Sequence, residues 1–176
     1  MVAPATGHPP LETRLIGNEG MLGCMLVLGI QQEQQRVVVQ GSCTALRLSA
    51  DQFCKALEDY ASLSDIINRY LYVLVEQLTQ TVACNRFHDV EQRLARRLLM
   101  THDRVQGDDF HLTHQLLADM LGVLRSAVTI AASALQLRGL IHYSRGDISI
   151  LDRFGLEASA CECYAIGIDD YEKLIV

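Results

Sequence analysis

The stretch from Thr113 to Ile150, THQLLADMLGVLRSAVTIAASALQLRGLIHYSRGDISI, decides how this sequence folds. Its apolar residues recur at helical spacing on both sides of Gly122, which predicts two short helices joined by a tight turn. Thr113 is placed to cap the first of these helices through its hydroxyl. Beyond Gly139, two runs rich in Ile surround Ser-Arg-Gly-Asp at 144–147, which is the pattern of a β-hairpin.

Helix, turn, helix and hairpin, in this order, are typical of a winged helix-turn-helix, whose second helix enters the major groove of double-stranded DNA. The sequence therefore predicts a DNA-binding domain. We expect seven residues of this stretch to contact DNA: Thr113, His114, Arg125, Ser126, Thr129, Ser144 and Arg145. A plain helical hairpin in a bundle core is the alternative that the periodicity leaves open.

The net charge of −6 does not by itself indicate a protein that binds nucleic acid. The distribution of charge along the sequence is more informative than the total. Residues 86–153 hold nine Arg and eight acidic residues, whereas the remainder holds six basic and thirteen acidic residues. The acidity therefore lies mainly outside the predicted DNA-binding part, and it weakens that interpretation only slightly.

A long helix is predicted over 62–88. A seam of four apolar residues follows the alternating spacing of a coiled coil: Ile67, Leu71, Leu74 and Leu78. This pattern favours a homodimer, with a core helix of a monomer as the alternative. Asp89 and Gln92 form a capping-box pattern that starts another helix. Its basic flank, Arg93, Arg96 and Arg97, faces either solvent or phosphate.

The N-terminal third contains the β-strand signals. Residues 1–13, rich in Pro and Gly, are expected to be flexible. Two strands, 37–39 and 43–48, are predicted on either side of a Gly41-Ser42 turn, as part of an incomplete β domain over 14–61. Residues 89–176 complete the chain as a winged helix-turn-helix domain with C-terminal helices. The expected fold class is α+β, mostly helical.

The six Cys residues are scattered, and no signal peptide is evident, so we expect reduced thiols in the cytoplasm. Cys161 and Cys163 form the closest pair. A metal site normally needs a second pair or a nearby His, which the neighbouring sequence lacks, so no metal is expected. Buried thiols are the simplest interpretation, with a thiol redox sensor as the alternative. The apolar run 20–30 is about half the length that spans a bilayer, so we expect no membrane segment.

Three motifs resemble the cyclic-AMP receptor protein/FNR family of bacterial transcription regulators. NRFHDVEQRLARRLL at 85–99 resembles the family's hinge and following helix, and LLADMLGV at 116–123 resembles its first motif helix and turn. ACECY at 160–164 resembles a tail found in one branch of the family. The resemblance implies a homodimeric regulator of transcription, a β-roll sensor of which only the second half is present, and RNA polymerase as a candidate partner.

The same resemblance shows two departures from the family pattern. IGNEGMLG at 16–23 resembles the phosphate-binding cassette, but QQEQQ at 31–35 stands where cyclic-nucleotide members carry an Arg. Because an anion facing Glu33 lacks charge-assisted donors, we expect no cyclic-AMP binding and no cofactor. The family's base-reading set aligns with Arg125, Ser126 and Ile130, of which only Arg125 keeps the family residue, so the DNA target should differ.

Two functions of different classes follow. The first is a sequence-specific transcription regulator that binds a palindromic operator as a homodimer. The second is a protein that does not bind DNA but dimerises with a full-length relative and inhibits it. An enzyme is not expected, because no catalytic grouping, phosphate loop or metal-ligand spacing stands out.

Overall fold

The computed structural model describes residues 2–3, 11–33, 35–105 and 107–175. The fold is α+β and mostly helical, as predicted. Its elements in chain order are β1 (Val2–Ala3), β2 (Leu11–Glu12), a 3-10 helix (Cys24–Leu28), α1 (Ala50–Asp59), α2 (Ala61–Phe87), α3 (Val90–His102), β3 (Asp109–His111), α4 (His114–Leu121), α5 (Arg125–Leu137), β4 (Ile141–Ser144), β5 (Asp147–Ile150), α6 (Arg153–Ser159) and α7 (Cys163–Ile175).

Asp89 separates α2 from α3, where the sequence predicted a break. Its side chain accepts a hydrogen bond from the Gln92 amide at 2.9 Å. The Gln92 side chain in turn accepts from the Asp89 amide at 3.3 Å. This reciprocal capping box satisfies two amides of the first turn of α3, which have no partner within the helix.

Asp89→Ala should lower the free energy of unfolding by about 0.5–2 kcal/mol, because the first turn of α3 loses its side-chain acceptor. Urea denaturation followed by circular dichroism measures the change. Asp89→Asn is the matched control, since Asn caps nearly as well as Asp and should leave the stability close to wild type. Equal losses in the two variants would mean that the cap does not stabilise α3.

The C-terminal domain is built around one core that α3, α4, α5, α6 and a small sheet share. The sheet is antiparallel with the order β3-β5-β4, and Ser144 pairs with Asp147 across its hairpin. Helical spacing aims one face of each helix inward. The largest fully buried side chains of this core are Leu94, Leu98, Leu99, Leu112, Leu117, Val128, Leu135, Ile141, Ile148 and Leu156.

A second core lies against α2, where the 3-10 helix, α1 and α7 pack. Ile67 and Leu74, both predicted on the dimer seam, are only 6% and 4% exposed and belong to this core. Their packing corrects the predicted seam at these two positions. Heptad spacing identifies apolar positions, but it does not say which of them the chain itself covers.

Another apolar stripe of α2 lies beside the buried face; it is half-buried against the second core at Leu71 and exposed at its other three positions. It consists of four residues at spacings of four, three and four, which places them on one face: Leu71, Val75, Leu78 and Val82. Val75 is 57% exposed and Val82 is 70% exposed. We call this face the α2 stripe. It keeps two residues of the predicted seam, Leu71 and Leu78, and adds two.

Residues 37–48 form no strand, so the two strands predicted there are wrong. Their apolar side chains face solvent; Val39 is 73% exposed and Leu48 is 55% exposed. An isolated two-stranded hairpin is marginal in water unless a third strand or a helix covers it, and nothing among the described residues does so here. The β1–β2 ladder pairs Val2 with Glu12 inside the segment predicted to be flexible, 1–13, part of which lies outside the described residues.

Within the described part of the chain, no single helix has the length and apolarity to cross a bilayer, and only α4 and α5 together meet that test, as a bent pair.

Candidate nucleic-acid interface

The turn between α4 and α5 has the geometry of a helix-turn-helix. Gly122 adopts the left-handed conformation, with φ 64° and ψ 39°, and its amide donates to the Ala118 carbonyl. A side chain at this φ would be strained, which explains the Gly. The two helix axes differ by 109°, within the range typical of this motif. The predicted helix-turn-helix is confirmed.

Helix α5 presents two different faces. Val128, Ala131, Ala132 and Leu135 are at most 4% exposed and pack inward. The outward face carries Arg125, Ser126, Thr129, Ile130 and Ser133, all exposed. Among the described residues Arg125 forms no ion pair, so its guanidinium is available to a base edge. This face is the one that a recognition helix offers to DNA.

Two residues of the outward face, Ile130 and Ser133, were not among the seven predicted DNA contacts. Ile130 is 72% exposed, so it lies on the surface and not in the core, where its methyl groups can contact a thymine methyl. Ser133 lies one turn beyond Thr129 and was missed. Counting in steps of four residues from Arg125 would have found it, because such steps stay on one helical face.

His114 of α4 contacts both α5 and the wing. Its ring stacks on Tyr143 of β4 with centroids 4.0 Å apart, and its Nδ1 lies 3.0 Å from the Thr129 hydroxyl. That hydroxyl donates to the Arg125 carbonyl at 3.1 Å, so His114 Nδ1 carries the proton and donates to Thr129. Burial, and then the charge of Arg125, lower the pKa of His114 below its usual value. A neutral ring therefore ties together α4, α5 and the wing.

Thr113 caps α4, as predicted. Its side chain accepts from the Leu116 amide at 3.2 Å. At the start of α5, by contrast, Leu124 offers no side-chain cap and is 77% exposed. The first amides of α5 are thus left for solvent or a DNA phosphate, which helix N-termini favour.

The wing is a two-residue hairpin turn between β4 and β5. Arg145 and Gly146 both have positive φ, 54° and 100°, as a type I′ turn requires. A Cβ on Gly146 would lie 2.5 Å from the His111 ring, so a larger residue would have to displace that ring as well as adopt a strained φ. Ser144 and Arg145 are exposed at the tip. The turn therefore projects a charged side chain away from the domain.

Arg145→Asn should weaken binding to specific and to scrambled DNA alike, because a residue at the wing tip is placed to neutralise a phosphate. Asn tolerates the positive φ. The slope of log affinity against log salt should fall by about one per subunit. Arg145→Lys, which keeps the charge, should retain the wild-type slope. A loss confined to the specific DNA would instead make Arg145 a residue that reads bases.

The basic flank of α3 is neither a solvated face nor a phosphate contact at two of its three positions. Arg93 is 8% exposed and donates to the Asn85 side chain at 2.8 Å and to the Leu121 carbonyl. Arg97 is 6% exposed and is paired with Glu12. Burial lowers the pKa of both. Arg93 thus connects α3 to α2 and α4, and Arg97 connects α3 to β2.

The described residues also contain one group of side chains that could hold a metal ion, formed by Cys84, His88, Cys161 and Cys163. The sequence offered no partners near Cys161 and Cys163, whereas the fold supplies them from the far end of α2.

Comparisons with known proteins agree with this geometry. The family model described as the Crp-like helix-turn-helix domain matches residues 92–159. A search of curated proteins returned no significant match.

Solved structures of transcription regulators share the fold. A transcriptional regulator of the CRP/FNR family from Thermus thermophilus is 20% identical with a TM-score of 0.64, and the match covers 90% of this chain and 81% of that protein. A CRP/FNR-family regulator from Eubacterium rectale is 24% identical with a TM-score of 0.50, and the match covers 62% of this chain and 51% of that protein. A variant of CooA from Carboxydothermus hydrogenoformans is 21% identical with a TM-score of 0.51, over 62% and 55% of the two chains.

The chain thus spans about half the length of the Eubacterium rectale protein. At these identities, the likeness to solved structures shows the fold, while the family model covers the DNA-binding motif directly. Residues 92–159 therefore match the Crp-like helix-turn-helix domain, and the fold of the chain is similar to that of solved transcription regulators of the CRP/FNR family.

Proposed function

We propose that this protein is a cytoplasmic transcription regulator that binds a palindromic DNA site, in a sequence-specific manner, as a homodimer. The observation that carries the proposal is the outward face of α5. Arg125 stands exposed and unpaired among the described residues, at the start of a helix that a Crp-like helix-turn-helix holds against its core.

Each exposed residue has a distinct role in this proposal. Arg125 donates two of its guanidinium N–H groups to a guanine edge. Ser126 and Ser133 reach neighbouring bases or phosphates, and Ile130 contacts a thymine methyl. The wing residues Ser144 and Arg145 hold the phosphate backbone and fix the register of the helix.

Thr113, His114 and Thr129 act mainly by positioning. Thr113 caps α4, and the hydrogen bond and stacking of His114 fix α5 against the wing. Their side-chain groups are already engaged within the protein. A phosphate near the start of α4 would therefore be held by backbone amides more than by these side chains.

The homodimer is proposed to form through the α2 stripe, Leu71, Val75, Leu78 and Val82. A helix of 27 residues is about 40 Å long. It packs on its own chain along the other face, while Val75, Leu78 and Val82 of the stripe face solvent and Leu71 borders the second core. A second copy is the occupant that fits, because a stripe with heptad spacing is self-complementary about a two-fold axis.

Two α2 helices paired in this way would carry two copies of α5. A regulator of this kind meets half-sites one helical turn apart, about 34 Å, in adjacent major grooves. The operator should then be a palindrome. The centres of its two half-sites should lie 10 to 11 base pairs apart, roughly one turn of the duplex. RNA polymerase is the partner through which DNA binding would alter transcription.

Selection of DNA from a random library by the purified protein tests this function. The enriched sequences should contain an inverted repeat with a guanine in each half-site that Arg125→Ala no longer selects. Enrichment of a single unpaired half-site would contradict the homodimer, and no enrichment would contradict sequence-specific binding.

The competing function is a dimerisation partner that inhibits a full-length relative. This function also uses the α2 stripe for dimerisation, but in it α5 does not contact DNA. A homodimer that fails to shift any selected DNA in a gel, yet exchanges subunits with a relative, would favour it.

A further inference from the structure

Four side chains from two distant parts of the sequence converge at the end of α2. Cys84 and His88 lie one helical turn apart, with the His88 amide donating to the Cys84 carbonyl. Cys161 lies in the short connection between α6 and α7, and Cys163 is the first residue of α7. One ligand atom from each residue lies within 4.8 Å of all the others. We call this group the Cys3His cluster.

The distances within the cluster suit a tetrahedral ion. Cys84 Sγ lies 3.5 Å from Cys161 Sγ, and Cys163 Sγ lies 3.4 Å from His88 Nδ1. Zinc–ligand bonds of ordinary length place two sulfurs about 3.8 Å apart, and a sulfur and a nitrogen about 3.6 Å apart. Since the four ligand atoms all lie within 4.8 Å of one another, shifts of up to about 1 Å would bring them to these separations.

The ligand set and its burial both indicate zinc. The three thiols are 1%, 3% and 0% exposed and form a core of their own. Thiolate sulfur selects soft or borderline metals, and three thiolates with one imidazole are a common zinc set. Four protein ligands leave no position for water, so the site would be structural and not catalytic.

Two further side chains orient the ligands. The Nε2 of His88 lies 3.2 Å from a Glu162 carboxylate oxygen, which leaves Nδ1 directed at the thiols. Gln80 donates its side-chain amide to Cys163 Sγ at 2.8 Å. Such partners, a carboxylate on the distal nitrogen of the His and an N–H on the sulfur, typically surround zinc ligands.

An arginine lies beside the cluster. Arg96 and the thiols of Cys84 and Cys163 line the same cavity, so its charge offsets the single negative charge of a zinc ion with three thiolates.

We propose that Cys84, His88, Cys161 and Cys163 bind one zinc ion per chain. The ion fastens the C-terminal end of α2 to the segment that joins α6 to α7. Since α6 packs on α3, and α3 begins two residues after His88, the ion also fixes the hinge between α2 and the DNA-binding domain. The proposal does not depend on whether the protein binds DNA.

The first measurement is the zinc content of the full chain, reconstituted with zinc under reducing conditions and dialysed. Inductively coupled plasma mass spectrometry should find about one zinc per chain. Cys161→Ser should reduce the content at least about tenfold, because one ligand of four is lost. Cys54→Ser is the matched control, since Cys54 lies on α1 outside the cluster, and it should keep the full content.

The second measurement needs no variant, so it stands even where Cys161→Ser fails to fold. X-ray absorption of the zinc-loaded wild type should show three sulfur ligands and one nitrogen. Cobalt substitution should give sulfur-to-metal charge-transfer bands with the visible bands of a tetrahedral ion. Zinc bound through oxygen ligands, an octahedral cobalt spectrum, or no bound metal in the reduced protein would overturn the proposal. A Cys84–Cys161 disulfide that forms in place of metal binding would overturn it too, in favour of a redox pair.

Discussion

Val75→Asp is expected to convert the proposed homodimer into a monomer. Val75 is 57% exposed in the single chain and lies at the centre of the α2 stripe, so the substitution removes no contact of the chain's own core. In the dimer, the substitution buries two charges, one from each copy. Each unpaired buried charge costs several kcal/mol, so the dimer dissociation constant should rise at least about 1000-fold. Sedimentation velocity measures the change directly.

Ile66→Asp is the matched control for this prediction. Ile66 is also a β-branched, exposed residue of α2, at 41%. It lies nine residues from Val75, which places it on the opposite face of the helix. Its substitution should leave the dimer intact. If Val75→Asp remains dimeric with unchanged affinity while folded, the α2 stripe is not the interface.

Arg125→Ala should cost about 1–3 kcal/mol at each half-site, and therefore about 2–6 kcal/mol for a dimer on a palindrome. Binding to scrambled DNA should change much less. The reason is geometric: Val128 and Ala131 direct one face of α5 inward, which leaves Arg125 on the outward face that we propose enters the groove. Fluorescence anisotropy on specific and scrambled duplexes compares the two losses.

Arg138→Ala provides the control for charge alone. Arg138 is the C-cap of α5 and is paired with Glu91 of α3, so it lies at the opposite end of the helix from Arg125. Its removal should affect both DNAs little. Equal losses on both DNAs for Arg125→Ala would make that residue a phosphate contact. No loss on either DNA would take α5 out of the interface.

The DNA-binding motif could be predicted from the sequence because its signals are local. Gly122 at a left-handed turn, Thr113 at a helix start and the Ser-Arg-Gly-Asp turn each determine a few neighbouring residues. The capping box at Asp89 is equally local. The role of His114 was not visible, because the stacking partner Tyr143 lies 29 positions further along the chain.

The features that sequence reasoning placed incorrectly depend on distant partners. Ile67 and Leu74 fit a heptad pattern, but the 3-10 helix and α7 cover them. Residues 37–48 have strand-forming side chains, but no neighbouring strand among the described residues pairs with them. The Cys3His cluster joins residues 77 positions apart, so no local spacing motif could reveal it.

The affinity of the wild-type protein for its selected palindrome, compared with a scrambled duplex at the same salt concentration, tests the central claim most directly. A sequence-specific regulator should bind the palindrome at least about 1000-fold more tightly, with two chains per duplex. Equal affinity for both duplexes, or one chain bound per duplex, would contradict the account of a homodimer that reads its site through α5.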